Sequence, residues 1–171
     1  MVVVTGLMLI RVFIFNSSIE IMLIEVRSWC VIGFNSSISI LGFLLAGFTI
    51  FATLSKPRML VEMMNHIHKE SNLPYLKYNF FVFMRVFIFY IFFIFIYLIV
   101  ILFGSHDGLY ECFLKLFTHY EFYREISIKI ANIIVGSSFV FLLLQLKTFI
   151  FNIYSIVMNS LRWVCHEHEN N

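Results

Sequence analysis

One run of apolar residues constrains the fold more than any other feature of this sequence. Residues 86–103 read VFIFYIFFIFIYLIVILF and include no charged side chain. A helix of roughly 20 such residues covers the ~30 Å hydrocarbon core of a bilayer. Because this helix is apolar on every face, it needs lipid or a large protein interior around it. A chain of 171 residues has no interior of that size, so the sequence predicts a membrane protein.

Composition agrees with a membrane protein and excludes some partners. Hydrophobic residues make up 61% of the chain and charged residues 13%, whereas a soluble domain is about a quarter charged. The net charge of +2 is too small to indicate nucleic acid, so we expect no direct contact with it. A chain of this length is predicted to form one transmembrane domain over residues 1–171.

The apolar segments predict an all-α, polytopic helical membrane protein with about four transmembrane helices. The first segment is the least regular, since Arg11 and Glu20 interrupt it, and it could instead lie flat on the membrane surface, leaving three spans. The predicted spans are residues 2–24, 29–54, 80–103 and 130–150, and a cytoplasmic helical extension is expected over 151–164.

The distribution of lysine and arginine predicts the orientation, because cytoplasmic loops carry an excess of both. The loop 55–78 contains four such residues, the loop 104–129 contains three, and the link 16–28 contains only Arg27. The loop 55–78 is therefore expected in the cytoplasm. With four spans, both termini would also be cytoplasmic.

Both long loops show amphipathic helical patterns. In the outer loop, apolar residues recur at helical spacing and predict an interfacial face. In the inner loop, Pro57 suits a first helical turn. An alternative is that these helices only cap the bundle. The predicted outer interfacial face consists of Leu109, Phe113, Phe117 and Tyr120.

The last apolar segment is too long for one crossing. Residues 130–164 would form a helix of roughly 52 Å at 1.5 Å per residue. About a third of it should project beyond the inner face, yet that part is still rich in apolar residues. An apolar surface of this kind needs a partner, which could be the inner loop, a second copy or another protein. The residues expected at this contact are Phe151, Tyr154, Met158 and Trp163.

Three cations interrupt the apolar runs, namely Arg11, Arg85 and Lys147. In the predicted topology all three fall in the inner half of the bilayer. They could extend to lipid phosphates of the inner leaflet, and Arg85 and Lys147 are our candidates for that contact. Alternatively, an oligomer could arrange them as a basic ring that recognises anionic lipid or lines an anion path.

Small residues predict where helices approach closely. Gly42 and Ala46 are four residues apart in the second span, and Gly136 lies in the fourth. In lipid, small side chains allow helices to pack by van der Waals contact. We therefore expect the second and fourth spans to touch, within one chain or between copies.

The sequence shows no convincing metal or catalytic motif. His66 and His68, and the tail 165–168, contain ligand-type residues, but residues two apart on a helix point to different faces. No phosphate loop, serine elbow or H-E-x-x-H motif is present. We expect no catalytic residue, metal or cofactor. Cys30 and Cys112, both predicted on the outer side, could form a disulfide, and their spacing leaves this open.

Three stretches resemble a known family. They are residues 40–51 (ILGFLLAGFTIF), the helix after Pro57, and residues 75–81 (YLKYNFF). The chain is similar to small four-span subunits of bacterial phage-defence operons, most of all the membrane component of the Kiwa system. This resemblance covers about half of the chain and rests on architecture. It implies a homo-oligomer in the inner membrane that senses infection at the envelope, with a soluble cytoplasmic partner acting on phage DNA.

These observations predict a non-enzymatic scaffold and sensor, with membrane lipids, further copies and a cytoplasmic effector as partners. The first alternative is a pore or channel that depolarises the membrane, for which Ser36, Ser39, Ser137 and Ser138 are the only polar candidates. The second is a toxin-immunity protein. A third is an accessory subunit of a respiratory complex, because Phe- and Ile-rich chains also come from AT-rich organellar genomes.

Overall fold

In the computed structural model, helices joined by short connections account for most of the chain. The structure describes residues 2–14, 18–54, 57–68, 71–105, 108–116 and 119–169. Within these residues there is no β-strand, only an isolated bridge between Ile67 and Pro74. The predicted all-α class is confirmed. In chain order, the helices are α1 (Val2–Ile14), α2 (Ile19–Leu54), α3 (Pro57–Asn65), α4 (Tyr75–Phe103), α5 (Leu109–Leu114) and α6 (Tyr120–Glu169).

Three of these helices are long and apolar enough to cross a membrane. Their candidate membrane segments are Ile19–Ile50 in α2, Tyr75–Phe103 in α4 and Tyr120–Asn159 in α6. Many of their large apolar side chains are exposed; Phe92 and Phe95 of α4, for example, are 56% and 59% exposed. Surfaces of this kind are compatible with a membrane protein, because lipid solvates them and water does not.

The structure divides the predicted first span, residues 2–24, between two helices. Helix α1 has 13 residues, or about 20 Å of helix, which is shorter than the ~30 Å hydrocarbon core. Helix α2 already begins at Ile19, so the predicted link before residue 29 is helical. The prediction placed the break at the charges, but charged side chains do not end helices. Glu20 lies in the first turn of α2, where its negative charge interacts favourably with the positive end of the helix dipole.

Helices α4 and α6 begin earlier than predicted, for local reasons. Helix α4 begins at Tyr75, directly after Pro74, whose carbonyl accepts the first helical hydrogen bond from the Tyr78 amide at 2.9 Å. Helix α6 begins at Tyr120 instead of residue 130. In this polar first part, Lys129 Nζ lies 2.5 Å from Glu125 Oε1, a pair four residues apart that supports a helix. The segment 151–164 is helical and continuous with the rest of α6.

The chain divides into two compact units. The first consists of Met1–Ser39 and Tyr90–Leu143. Its buried cluster joins Val12 of α1, Met22 of α2 and Ile128 of α6. Within this unit α4 and α6 run antiparallel, because Tyr97 contacts Ser138 while Tyr90 contacts Leu142.

The second unit consists of Ile40–Phe89 and Leu144–Asn171. Aromatic side chains from three helices form its interior. The ring of Phe48 in α2 lies 5.9 Å from that of Phe83 in α4, which lies 5.3 Å from that of Phe149 in α6. Between α3 and α4 the chain makes a tight turn in which Asn72 adopts a positive φ of 52°, and the His68 amide donates to the Leu73 carbonyl at 2.8 Å.

Candidate functional site

Helix α5 is fastened to the start of α6 by polar side chains; we call these contacts the α5–α6 junction. Arg124 Nε lies 3.0 Å from Glu111 Oε1, and their side chains are only 15% and 6% exposed. The Tyr110 hydroxyl donates to Ser127 Oγ, which itself donates to the Arg124 carbonyl at 2.9 Å. An ion pair this buried holds the two elements together strongly, because separating it would leave a charge without its counterion.

The junction changes the predicted outer interfacial face. The prediction placed Leu109, Phe113, Phe117 and Tyr120 on one helix. Helix α5 ends at Leu114, and Tyr120 is the first residue of α6. Leu109 and Phe113 are exposed, Tyr120 is half-buried, and Phe117 lies outside the described residues. One helix through all four is therefore wrong, because the chain must reverse direction between the antiparallel α4 and α6.

The last part of α6 presents a different surface on each side. Phe149 is fully buried and Ile156 is 3% exposed, so this side is anchored in the second unit. The predicted contact residues Phe151 and Tyr154 are 70% and 60% exposed. Met158 is half-buried, and the side chain of Trp163 lies outside the described residues. Leu161, which sequence reasoning passed over, is also exposed. We call Phe151, Tyr154 and Leu161 the exposed α6 face.

The three interrupting cations are divided between the two units. Arg11 Nη2 lies 2.8 Å from Glu25 Oε2 and 2.9 Å from Oε1, and its guanidinium carbon lies 5.0 Å from the centre of the Trp29 ring. Arg11 therefore belongs to the first unit, while Arg85 and Lys147 belong to the second. That all three lie in the inner half of the bilayer stays a prediction. Arg85 and Lys147 are both exposed.

Helices α2 and α6 do meet, as the sequence predicted. The close approaches are at Gly33 and Gly47 and not at the Gly42–Ala46 pair. A Cβ at Gly33 would lie 3.2 Å from the Phe139 ring, and one at Gly47 would lie 3.0 Å from Ile153. Gly42 has open space around it, and Ala46 is exposed. Gly136 is buried, but the side chain that a Cβ there would strike is Met8 of α1.

Four hydroxyl groups of α4 and α6 form hydrogen bonds within the first unit. Tyr90 donates to the Leu142 carbonyl at 2.9 Å, and Ser137 donates to the Ile133 carbonyl. Ser138 donates to the Val135 carbonyl, so the Tyr97 hydroxyl, 2.5 Å away, is the donor to Ser138 Oγ. Sequence reasoning missed both tyrosines. The available signal was that they are the only hydroxyl groups in the run 86–103, where a polar group requires a partner.

The cysteines and histidines that the structure describes show no shared site. Cys30 and Cys112 are both free thiols, the first buried and the second exposed, so the structure does not contain the disulfide that remained open. The rings of His68 and Tyr78 are stacked, with their centroids 4.1 Å apart. Nδ1 of His68 lies 3.2 Å from Ser71 Oγ. Across the described residues no group of His, Cys, Asp or Glu could hold a metal ion; the tail side chains 165–168 lie outside them.

Comparisons with known proteins identify no relative. No protein-family model, curated protein or solved structure matches this chain. The function must therefore be argued from the α5–α6 junction and the exposed α6 face.

Proposed function

We propose that this chain is a non-enzymatic integral membrane subunit that senses envelope disturbance and anchors a cytoplasmic effector in defence against phage. The observation that carries the proposal is the continuity of α6. One helix, Tyr120–Glu169, includes the α5–α6 junction near its start and the exposed α6 face near its end. The resemblance to the Kiwa membrane component supports the defence role.

The length of α6 supports a role on both sides of a membrane. Its 50 residues correspond to about 75 Å of helix, more than twice the ~30 Å hydrocarbon core. Because α6 is one continuous helix, it joins the α5–α6 junction to the exposed α6 face along the chain. A disturbance that moves α5 would therefore act on α6 through the Glu111–Arg124 ion pair.

The proposed location is a bacterial inner membrane, crossed in full by α2, α4 and α6. The lysine and arginine distribution places the segment between α2 and α4, and with it the end of α6, in the cytoplasm. Arg85 and Lys147, both exposed, would contact phosphates of the inner leaflet. Four crossings with both termini cytoplasmic would require α1, with only 13 residues, to cross a locally thinned bilayer.

The proposed assembly is a homo-oligomer. Gly42 and Ala46 are exposed on α2, and a Cβ at Gly42 would have nothing within 4 Å. A spacing of four between small residues suits close helix packing in lipid. Because none of the described helices covers this position, a second copy is the partner we propose.

A pore is the less supported alternative. Of its four polar candidates, Ser137 and Ser138 are buried and donate to carbonyls of their own helix. Ser39 donates to the Asn35 carbonyl at 2.9 Å. Only Ser36 and Ser39 remain exposed, on α2 alone, so a polar lumen would have to be assembled from several copies. Current recordings from the purified protein in planar bilayers test this, and stable conductance would favour the pore.

A toxin gene next to this one would favour the toxin-immunity alternative.

The main experiment tests the exposed α6 face with substitutions. Truncation after Thr148 is unsuitable, because it would also remove the buried Phe149 and Ile156. The double variant Phe151→Ser, Tyr154→Ser leaves that anchored side intact. We expect it to insert normally, to lose co-purification with the product of the adjacent gene, and to lose protection of cells against phage.

The matched control is Ile67→Ser, which also removes an exposed apolar side chain from a segment placed in the cytoplasm. It should keep both co-purification and protection. Full co-purification and protection in the Phe151, Tyr154 double variant would remove the main support for the proposal.

A further inference from the structure

The first unit contains an apolar cavity for which the sensing proposal gives no use. Its volume is about 250 Å³. It lies among α2, α4, α5 and α6, and its wall includes Val26, Val100 and Phe103 together with Ile128 and Ala131. Most of these residues belong to helices that are long and apolar enough to cross a membrane.

The cavity wall has few polar groups that could form hydrogen bonds to water. Among the described residues that line it, Tyr110 and Ser127 are the ones with side-chain hydroxyl groups, and these two are hydrogen-bonded to each other. A water molecule in a cavity needs two to four polar partners, and apolar cavities of this kind stay dry and accept apolar ligands. An unfilled space of this size would also forfeit the dispersion contacts of its wall.

The geometry points to a phospholipid acyl chain as the occupant. Acyl chains are the solvent around membrane-spanning helices, so they reach this cavity at far higher concentration than any soluble apolar compound. A polar side chain near the cavity could bind the ester or phosphate group of such a lipid. Arg124 lies one helical turn before Ser127, and its Nη2 is buried without a hydrogen-bond partner among the described residues. An ester or phosphate oxygen is the acceptor that this donor lacks.

The α5–α6 junction closes the cavity on one side. Tyr110 and Ser127 line the wall, and Glu111 and Arg124, their neighbours in α5 and α6, form the buried ion pair. An acyl chain in the cavity would therefore contact the junction that fastens α5. The cavity holds this lipid whether or not α6 anchors an effector.

Photolabelling tests the assignment. The chain is reconstituted in vesicles of phosphatidylethanolamine and phosphatidylglycerol that include a phosphatidylethanolamine with a diazirine on one acyl chain. Labelled residues are then mapped by mass spectrometry. We expect label on Val100 and Ile128 in the unsubstituted chain. The variant Ala131→Phe fills the cavity and should lose that label, while the exposed Phe92 and Phe95 stay labelled.

Two controls keep the outcome decisive. Ala52→Phe adds the same ring at an exposed position of α2 and should leave the cavity label unchanged. If Ala131→Phe is not monodisperse after purification, Ala131→Leu replaces it, and loss of label is again expected. Equal cavity labelling in the filled and unfilled proteins would overturn the proposal. So would label that appears only with diazirine-bearing free palmitate, because the occupant would then not be a phospholipid. Effector co-purification is scored separately.

Discussion

At the scale of single residues, α2 contains two glycines with opposite surroundings. A Cβ at Gly33 would lie 2.8 Å from two atoms of the Tyr97 ring, whereas one at Gly42 would meet nothing within 4 Å. The same helix therefore needs a glycine at one position for close packing and tolerates a larger residue at the other. Sequence spacing favoured Gly42 because it lies four residues before Ala46, although Gly33 and Ser37 have the same spacing.

A pair of alanine substitutions tests this difference. Gly33→Ala should lower the free energy of unfolding by about 1–3 kcal/mol, because the Tyr97 ring must shift to admit the new methyl group. Gly42→Ala should have no cost or a small gain, since alanine is the better helix former. Thermal unfolding of both variants in the same detergent measures the difference. Equal midpoints would mean that α2 and Tyr97 are not in close contact.

The Tyr97 hydroxyl should contribute measurably to stability. Tyr97→Phe removes its hydrogen bond to Ser138, and such bonds between membrane helices are worth about 0.6–1.7 kcal/mol. The lower part of that range is expected, since Ser138 keeps its bond to the Val135 carbonyl. Tyr154→Phe, at an exposed position, is the control and should not change the midpoint in thermal unfolding. A loss no larger than that of the control would contradict the bond.

At the scale of elements, the short α5 depends on its contact with α6 to stay folded. An isolated helix of six residues is not stable in water, and α5 has only six. Its burial of Glu111 and Leu114 supplies what local propensity does not. This dependence makes α5 the element whose order should respond first to a change at the junction.

Removing the charge of Glu111 should loosen α5. Glu111→Gln leaves the guanidinium of Arg124 without its counterion in a buried site, at a cost of about 1–3 kcal/mol. Amide hydrogen exchange across α5 should become correspondingly faster. Glu125→Gln breaks the more exposed pair with Lys129 and should change exchange in α5 little. Slow exchange should return in the charge-swapped double variant Glu111→Arg, Arg124→Glu. If α5 exchanges at the same rate without the Glu111 charge, the ion pair does not hold it.

The two sides of α6 give a second contrast at this scale. Phe149→Ala removes a fully buried ring and should cost about 3–5 kcal/mol of unfolding free energy through the cavity it leaves. Phe151→Ala removes an exposed ring and should leave the thermal midpoint of the detergent-solubilised protein nearly unchanged. The reverse order of the two midpoints would mean that α6 is rotated about its axis relative to the structure.

At the scale of the whole molecule, many large apolar side chains are exposed, and such surfaces mark contact with lipid or with another protein. In our proposal, lipid covers the exposed rings of α4, and another protein covers the exposed α6 face. The oligomer we propose would cover a third surface, around Gly42 and Ala46 of α2.

A bulky residue at Gly42 tests the oligomer. Gly42→Ile should prevent close approach of two α2 helices and shift the protein in lipid nanodiscs toward the monomer, as measured by native mass spectrometry. Ala52→Ile, also exposed on α2, should not shift it. If the unsubstituted chain is already a monomer in nanodiscs, the homo-oligomer proposal fails.

The sequence by itself was sufficient for the class of fold and for most of the helical segments. Long apolar runs without Pro or Gly pairs can form little else, because the backbone in lipid must satisfy its own hydrogen bonds. This reasoning correctly predicted an all-helical chain, the run 86–103 in α4, and the continuation of α6 past residue 150.

Tertiary structure decided what depends on contacts between distant residues. Arg11 pairs with Glu25 because α1 folds back on the start of α2. Gly33, not Gly42, meets Tyr97 because the rotation of α2 about its axis is set by its neighbours. The Glu111–Arg124 pair and the cavity beside it exist only once α5 has docked. Periodicity shows which residues share a face of one helix, and only packing shows what that face touches.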